Sequence, residues 1–224
     1  MDFFELNGLQ YLIRYPNGFD ATKKHPTLLF LHGAGSRGKD FHNLVEDNIF
    51  FDTLDTLEDF PFVVVAPLCS ENTWFDLWEH LIALTHHVAD LPFLDADRLC
   101  LMGTSMGGYA TWQLAMSLPE QFAAIVPICG GGMYWNASRL KNTPVWAFHG
   151  ECDPVVKMEE SVKMVDAVNA KGGSARLTTY PEVGHAAWVP TYANTEVYDF
   201  LLSHRRSGAA ITGEGDLTGA KQYG

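Results

Sequence analysis

The sequence predicts an α/β protein with a mostly parallel central sheet flanked by helices. Three observations carry that prediction. Strand-like and helix-like segments alternate along the chain, the order that builds a doubly wound sheet. The segments at 27–31, 62–66, 98–102, 123–129 and 144–148 are nearly continuous apolar runs, as strands covered by helices on both faces must be. No internal repeat or linker interrupts the alternation, so residues 1–206 are expected to form one domain.

Taken in order, residues 9–15 alternate loosely and end at Pro16-Asn17-Gly18, which reads as an antiparallel edge strand and a turn. The apolar strand at 27–31 runs into His32-Gly33-Ala34-Gly35-Ser36-Arg37-Gly38, a loop in which glycines let backbone approach a ligand closely. Residues 41–51 read as a short helix or irregular cover, and the strand at 62–66 stops at Pro67. An aromatic-rich loop at 68–78 enters a helix with Leu81, Leu84, Thr85 and Val88 on one face. The strand at 98–102 is followed by a helix over 108–116 that ends before Pro119. Strands at 123–129 and 144–148 close at Gly130-Gly131-Gly132 and at His149-Gly150. A helix over 157–171 ends at Gly172-Gly173, as a C-cap should, and a strand at 175–180 and a helix at 191–203 finish the fold. From 207 to 224 the composition turns polar and Gly-rich, which predicts a flexible tail.

Bulk properties exclude several classes. The 224 residues carry a net charge of −12 with no Lys/Arg run longer than a pair, the opposite of a nucleic-acid-binding or anionic-membrane surface. No apolar run approaches the roughly 20 residues of a membrane span, and 1–5 lack a basic region leading into an apolar one, so neither a membrane partner nor a signal peptide is expected. The four cysteines form no C-x-x-C pair and read as buried free thiols of a reducing, cytoplasmic setting. No cofactor motif or metal-ligand spacing such as H-E-x-x-H occurs, so no cofactor and no metal are expected. The pattern fixes no oligomeric state, and a homodimer is one arrangement it allows.

The stretch carrying chemistry is Gly103-Thr104-Ser105-Met106-Gly107, a G-x-S-x-G pentapeptide set between strand and helix. That context forces a sharp turn, lifts the Ser105 hydroxyl above the sheet edge and places helix N–H groups beneath any oxyanion formed there. A serine hydroxyl is a weak nucleophile and needs a base, and the base needs an orienting carboxylate. His185 follows the last strand and Asp153 the strand before it, both at the carboxyl edge where open α/β sheets bind ligands. His149 and Glu151 are the rivals. An oxyanion needs at least two N–H donors, expected from Met106 and from the loop after residue 31, with Ala34 favoured over Gly33 and Gly35. His32 is read as a brace of that loop.

With these pieces in hand, the chain resembles the α/β-hydrolase superfamily, within its phospholipase/carboxylesterase, feruloyl-esterase-like and dienelactone-hydrolase-like group. The resemblance rests on 29–35 (LFLHGAG), 103–108 (GTSMGG), 149–155 (HGECDPV) and 184–188 (GHAAW). It implies an α/β-hydrolase fold and a Ser105, Asp153, His185 triad in the order the superfamily uses; many relatives carry a cap domain, and the spacing here leaves no room for a large one. Dienelactone hydrolases carry a cysteine as nucleophile; Ser105 stands in that place here. The activity implied is a serine carboxylesterase acting on a small-molecule ester with a short acyl or aryl group, with Trp74, Trp78 and Trp188 expected to hold the substrate. A short-peptide hydrolase of the same fold and a non-catalytic binding protein are the alternatives.

Overall fold

The computed structural model describes residues 1–45, 48–57 and 59–206 in full, and the backbone of 221–223. The strands are β1 (Asp2–Leu6), β2 (Leu9–Arg14), β3 (His25–Leu31), β4 (Val63–Pro67), β5 (Leu94–Thr104), β6 (Ile125–Ile128), β7 (Val145–Gly150), β8 (Ala175–Tyr180) and the short β9 (Lys221–Tyr223). They lie in one sheet in the order β8-β7-β6-β5-β3-β4-β2-β1-β9. From β8 to β4 every pairing is parallel, and β2, β1 and β9 continue the sheet antiparallel.

Alternate residues of each inner strand feed two cores, because successive side chains point to opposite faces. Leu29, Leu31, Val63, Val65, Leu99 and Leu101 pack with helices α3 (Trp78–Asp90), α4 (Met106–Ser117) and α5 (Glu159–Ala170). Leu28, Phe30, Val64, Ala66, Cys100 and Met102 pack on the other face with α1 (His42–Val45), α2 (Ile49–Thr56), α6 (Trp188–Ala193) and α7 (Thr195–Leu202). Phe30 and Phe50 stack there with ring centroids 3.7 Å apart, joined edge-on by Tyr192. Buried on both faces, these strands gain about 1.5–3 kcal/mol from each large apolar side chain they enclose.

Three expectations need correction. The strand at 9–15 is not an edge: β1 pairs outside it through a hairpin whose turn is Asn7-Gly8. Both turn residues take positive φ, 51° and 87°, as a two-residue hairpin that matches strand twist requires. The single helix at 191–203 is two, because Asn194 breaks from α6 with φ −84° and ψ 104° and accepts the Glu196 amide at its side chain to cap α7. The tail expected from 207 lies outside the described residues as far as 220, but Lys221–Tyr223 does not hang free: it pairs with β1, whose outer backbone groups would otherwise lack partners. Among the described residues no separate domain stands over the carboxyl edge of the sheet, and no helix is long and apolar enough to cross a membrane.

Candidate active site

β5, β7 and β8 end at one edge of the sheet, with β6 between β5 and β7, and the loops leaving them meet there. Ser105, between β5 and α4, takes φ 55° and ψ −114°, a conformation an L-residue adopts at a cost of about 1–3 kcal/mol. Its surroundings hold it there. Its amide donates to the Ile128 carbonyl at 2.8 Å, and its carbonyl accepts the Tyr109 amide at 3.0 Å. The flanking glycines are demanded by close approach: a Cβ on Gly107 would overlap the Leu31 carbonyl, and one on Gly103 would overlap the Gly107 carbonyl.

Ser105 Oγ lies 2.8 Å from His185 Nε2, and His185 Nδ1 lies 2.7 Å from Asp153 Oδ2. A carboxylate only accepts, so Nδ1 carries the proton, and Nε2 is left to accept from the serine hydroxyl. The loops bearing the acid and the imidazole are tied together by their main chains, Cys152 donating to the Val183 carbonyl at 3.0 Å. Burial alone would push the Asp153 carboxyl up. Hydrogen bonds from His185 and from the Val156 and Val155 amides, with the imidazole's charge, outweigh it and hold the group below its ordinary value. Cys129, itself at φ 47°, donates its thiol to the His185 carbonyl at 3.1 Å; burial pushes that thiol up to about 12, so it stays protonated. The rivals lie elsewhere. Glu151 is exposed and accepts from Thr179, and His149 is fully buried behind Asp153, 2.9 Å from the Val156 carbonyl.

Ala34 opens a short 3₁₀ turn, Ala34–Ser36, at the cavity's edge, and Met106 is the first residue of α4, so both amides belong to turns whose leading N–H groups lack a partner within the turn. The Ala34 loop is held rigidly. His32 Nδ1 donates to the Gly33 carbonyl at 2.7 Å and its Nε2 accepts the Cys69 amide at 3.0 Å. Burial holds His32 down at about 4, so the ring stays neutral. Arg37 closes the loop from outside, donating to the Ala34 and Asn72 carbonyls.

A cavity of about 440 Å³ opens at Ser105 and His185, walled by Phe30, Ile49, Thr104, Val155, Trp188 and Tyr192 among others. Of the three tryptophans expected at the substrate, only Trp188 reaches it, its ring edge-on to His185 at 5.3 Å. Trp74 is fully buried and donates its indole N–H to the His32 carbonyl at 3.0 Å, bracing the loop from below. Trp78 packs against the core on the α3 side, stacked on Phe75. Tyr192, which is not among the residues expected at the substrate, shares a face of α6 with Trp188, one turn on, a spacing that a helix starting at 191 does not show.

The fold and this site define an α/β-hydrolase. The chain belongs to the dienelactone hydrolase family, whose profile matches residues 69–199. Among solved structures, a thermostable esterase aligns with a TM-score of 0.81 at 32% identity, over 92% of this chain and 63% of that one. Est1E from Butyrivibrio proteoclasticus aligns at 0.67 and 16% identity, over 90% of this chain and 97% of that one, a likeness of fold. The dipeptidyl-peptidase 5 of Porphyromonas gingivalis is 22% identical over 85% of this chain but only 34% of its own length. The chain thus spans about a third of the length of the curated relatives it matches.

Proposed function

We propose that this chain is a serine carboxylesterase that hydrolyses small esters with short acyl or aryl groups through an acyl-enzyme on Ser105. The observation carrying the proposal is the hydrogen-bonded chain from Ser105 through His185 to Asp153, opening into a cavity with amide donors at its rim. In this reading Ser105 Oγ attacks the ester carbonyl carbon and its proton passes to His185 Nε2. The carbonyl oxygen, now an oxyanion, is received by the Ala34 and Met106 amides. Collapse of the tetrahedral intermediate breaks the bond to the alcohol, which leaves with the proton held by His185. Water then repeats the sequence at the acyl-enzyme, with His185 again taking and returning the proton. Asp153 stays ionised and stabilises the imidazolium in both halves. Trp188 and Tyr192 form the aromatic wall against which the acyl or aryl group lies.

The dipeptidyl-peptidase relatives favour a second reading, hydrolysis of short peptides by the same residues. An amine leaves less readily than an alcohol, so this reading requires remote contacts to offset the harder step. Turnover of p-nitrophenyl acetate, butyrate and palmitate, set beside dipeptide p-nitroanilides, separates the two. The esterase reading expects acetate and butyrate far ahead of palmitate and of every anilide; anilide cleavage at ester-like rates replaces it with the peptidase.

A further inference from the structure

Behind Asp153, on the side away from the cavity, lies a buried group for which the mechanism above has no use. His149, in β7, is fully buried. Its Nδ1 is 2.7 Å from Ser161 Oγ of α5, and Ser161 Oγ is 2.9 Å from the Gly130 carbonyl beyond β6. Its Nε2 is 2.9 Å from the Val156 carbonyl and 3.3 Å from Asp153 Oδ2, the oxygen that also receives His185. Proton accounting fixes one nitrogen. Whether Ser161 gives its hydrogen to Gly130 or to Nδ1, Nε2 faces two oxygens that only accept, so Nε2 carries a proton in either case. That N–H points between the carbonyl of the Asp153 loop and the carboxylate itself.

We propose that His149 is a positioning residue for the reaction: its Nε2–H, set in direction by Ser161, fixes the Asp153 carboxylate and the 153–156 turn so that Oδ2 meets His185. The proposal rests on the esterase reading. Asp153 Oδ1 accepts the Val155 and Val156 amides at 2.8 and 3.0 Å, and since the carboxylate turns as one plane about Cβ–Cγ, what Oδ2 meets sets the tilt of that plane. His149 restrains it directly and, by holding the Val156 carbonyl, restrains the turn that carries both amides. His149 thereby acts on the serine through three hydrogen bonds in series, by way of Asp153 and His185.

The test compares His149→Leu, His149→Gln and Ser161→Ala on p-nitrophenyl acetate, with active sites counted by organophosphonate titration so that each rate is per competent enzyme. Misaligning the acid should lower kcat roughly 10- to 100-fold in His149→Leu with KM unchanged. It should also move the low-field proton signal of the His185–Asp153 hydrogen bond upfield. Glutamine, whose amide N–H reaches the place of Nε2, should restore most of the rate, and Ser161→Ala should fall between. If His149→Leu only reduces the count of competent sites and the melting temperature, leaving kcat per site and the proton signal as in wild type, the residue is structural and the proposal is overturned. Should His149→Leu not fold, Ser161→Ala decides by the same two readouts. Failure of the esterase reading shows separately, as activity surviving in Ser105→Ala.

Discussion

Two histidines follow strands at the same edge of the sheet, yet their surroundings give them opposite characters. His32, after β3, is buried and spends both ring nitrogens on main-chain groups, accepting the Cys69 amide and donating to the Gly33 carbonyl. His185, after β8, is partly exposed and spends both nitrogens on side chains, Ser105 on one side and Asp153 on the other. A ring bonded to the main chain cannot change its protonation without breaking the loop it holds. A ring bonded to a hydroxyl and a carboxylate can take up the hydroxyl proton and return it, its charged form held by the carboxylate, with no backbone movement. The partners, more than the residue type, separate a brace from a base.

Substitution of the His185 partners should produce the largest effects. Ser105→Ala and His185→Ala should each lower kcat on p-nitrophenyl acetate by roughly a millionfold, the loss seen when a serine hydrolase loses either group. Retention of a few per cent of activity in either would dissolve the distinction between the two histidines. Asp153→Asn should cost about 10⁴-fold, since an amide cannot stabilise the imidazolium and favours the wrong tautomer, whereas Glu151→Gln should stay near wild type.

The His32 side should answer in stability. Its ordinary value is 6.5 and burial lowers it to about 4. The unfolded chain therefore takes up this proton below pH 6.5 while the folded chain refuses it until about pH 4. Above the upper limit the group contributes no pH dependence. Between the two, stability falls as pH is lowered, in total on the order of 3 kcal/mol. Urea midpoints measured from pH 7 to pH 4 should show a shallower acid decline in His32→Gln than in wild type; identical slopes would mean that the ring titrates freely.

Tryptophans repeat the contrast at the smallest scale. Trp188→Ala should raise KM for aryl esters about 2- to 10-fold, the worth of one aromatic contact, without lowering the melting temperature appreciably. Trp74→Ala should do the reverse, removing about 3–5 kcal/mol of stability by opening a cavity under the Ala34 loop. Equal effects of the two on aryl-ester KM would return Trp74 to the substrate wall.

Much of this arrangement is written in the sequence because it depends on periodicity and chain order. Continuous apolar runs betray strands covered on both faces, and glycines around Ser105 betray a crossing of backbones. Direction is what sequence lacks. Trp74 and Trp188 are the same residue type, each the first residue of a helical segment, and an indole hydrogen bond to the His32 carbonyl accompanies the one that turns inward. Tyr192 joins the wall only because α6 begins at Trp188, a boundary that no cap residue marks, since Ala187 makes no side-chain cap bond. The β1 strand, by contrast, has a turn signal in Asn7-Gly8 but no apolar alternation, because its residues mix charge with aromatics.

The separation of the triad along the chain has a consequence for how the protein is made. Ser105 and His185 stand 80 residues apart and meet only after β6, β7 and β8 have added in parallel to β5. Parallel pairings of this span close late, because loop-closure entropy is lost before the contacts form. At synthesis rates of about 5–20 residues per second, several seconds separate emergence of the serine from that of its base. In the proposed mechanism a nascent chain therefore carries its Ser105 elbow with no means of activating it until β8 has joined the sheet and brought the His185 loop to its edge.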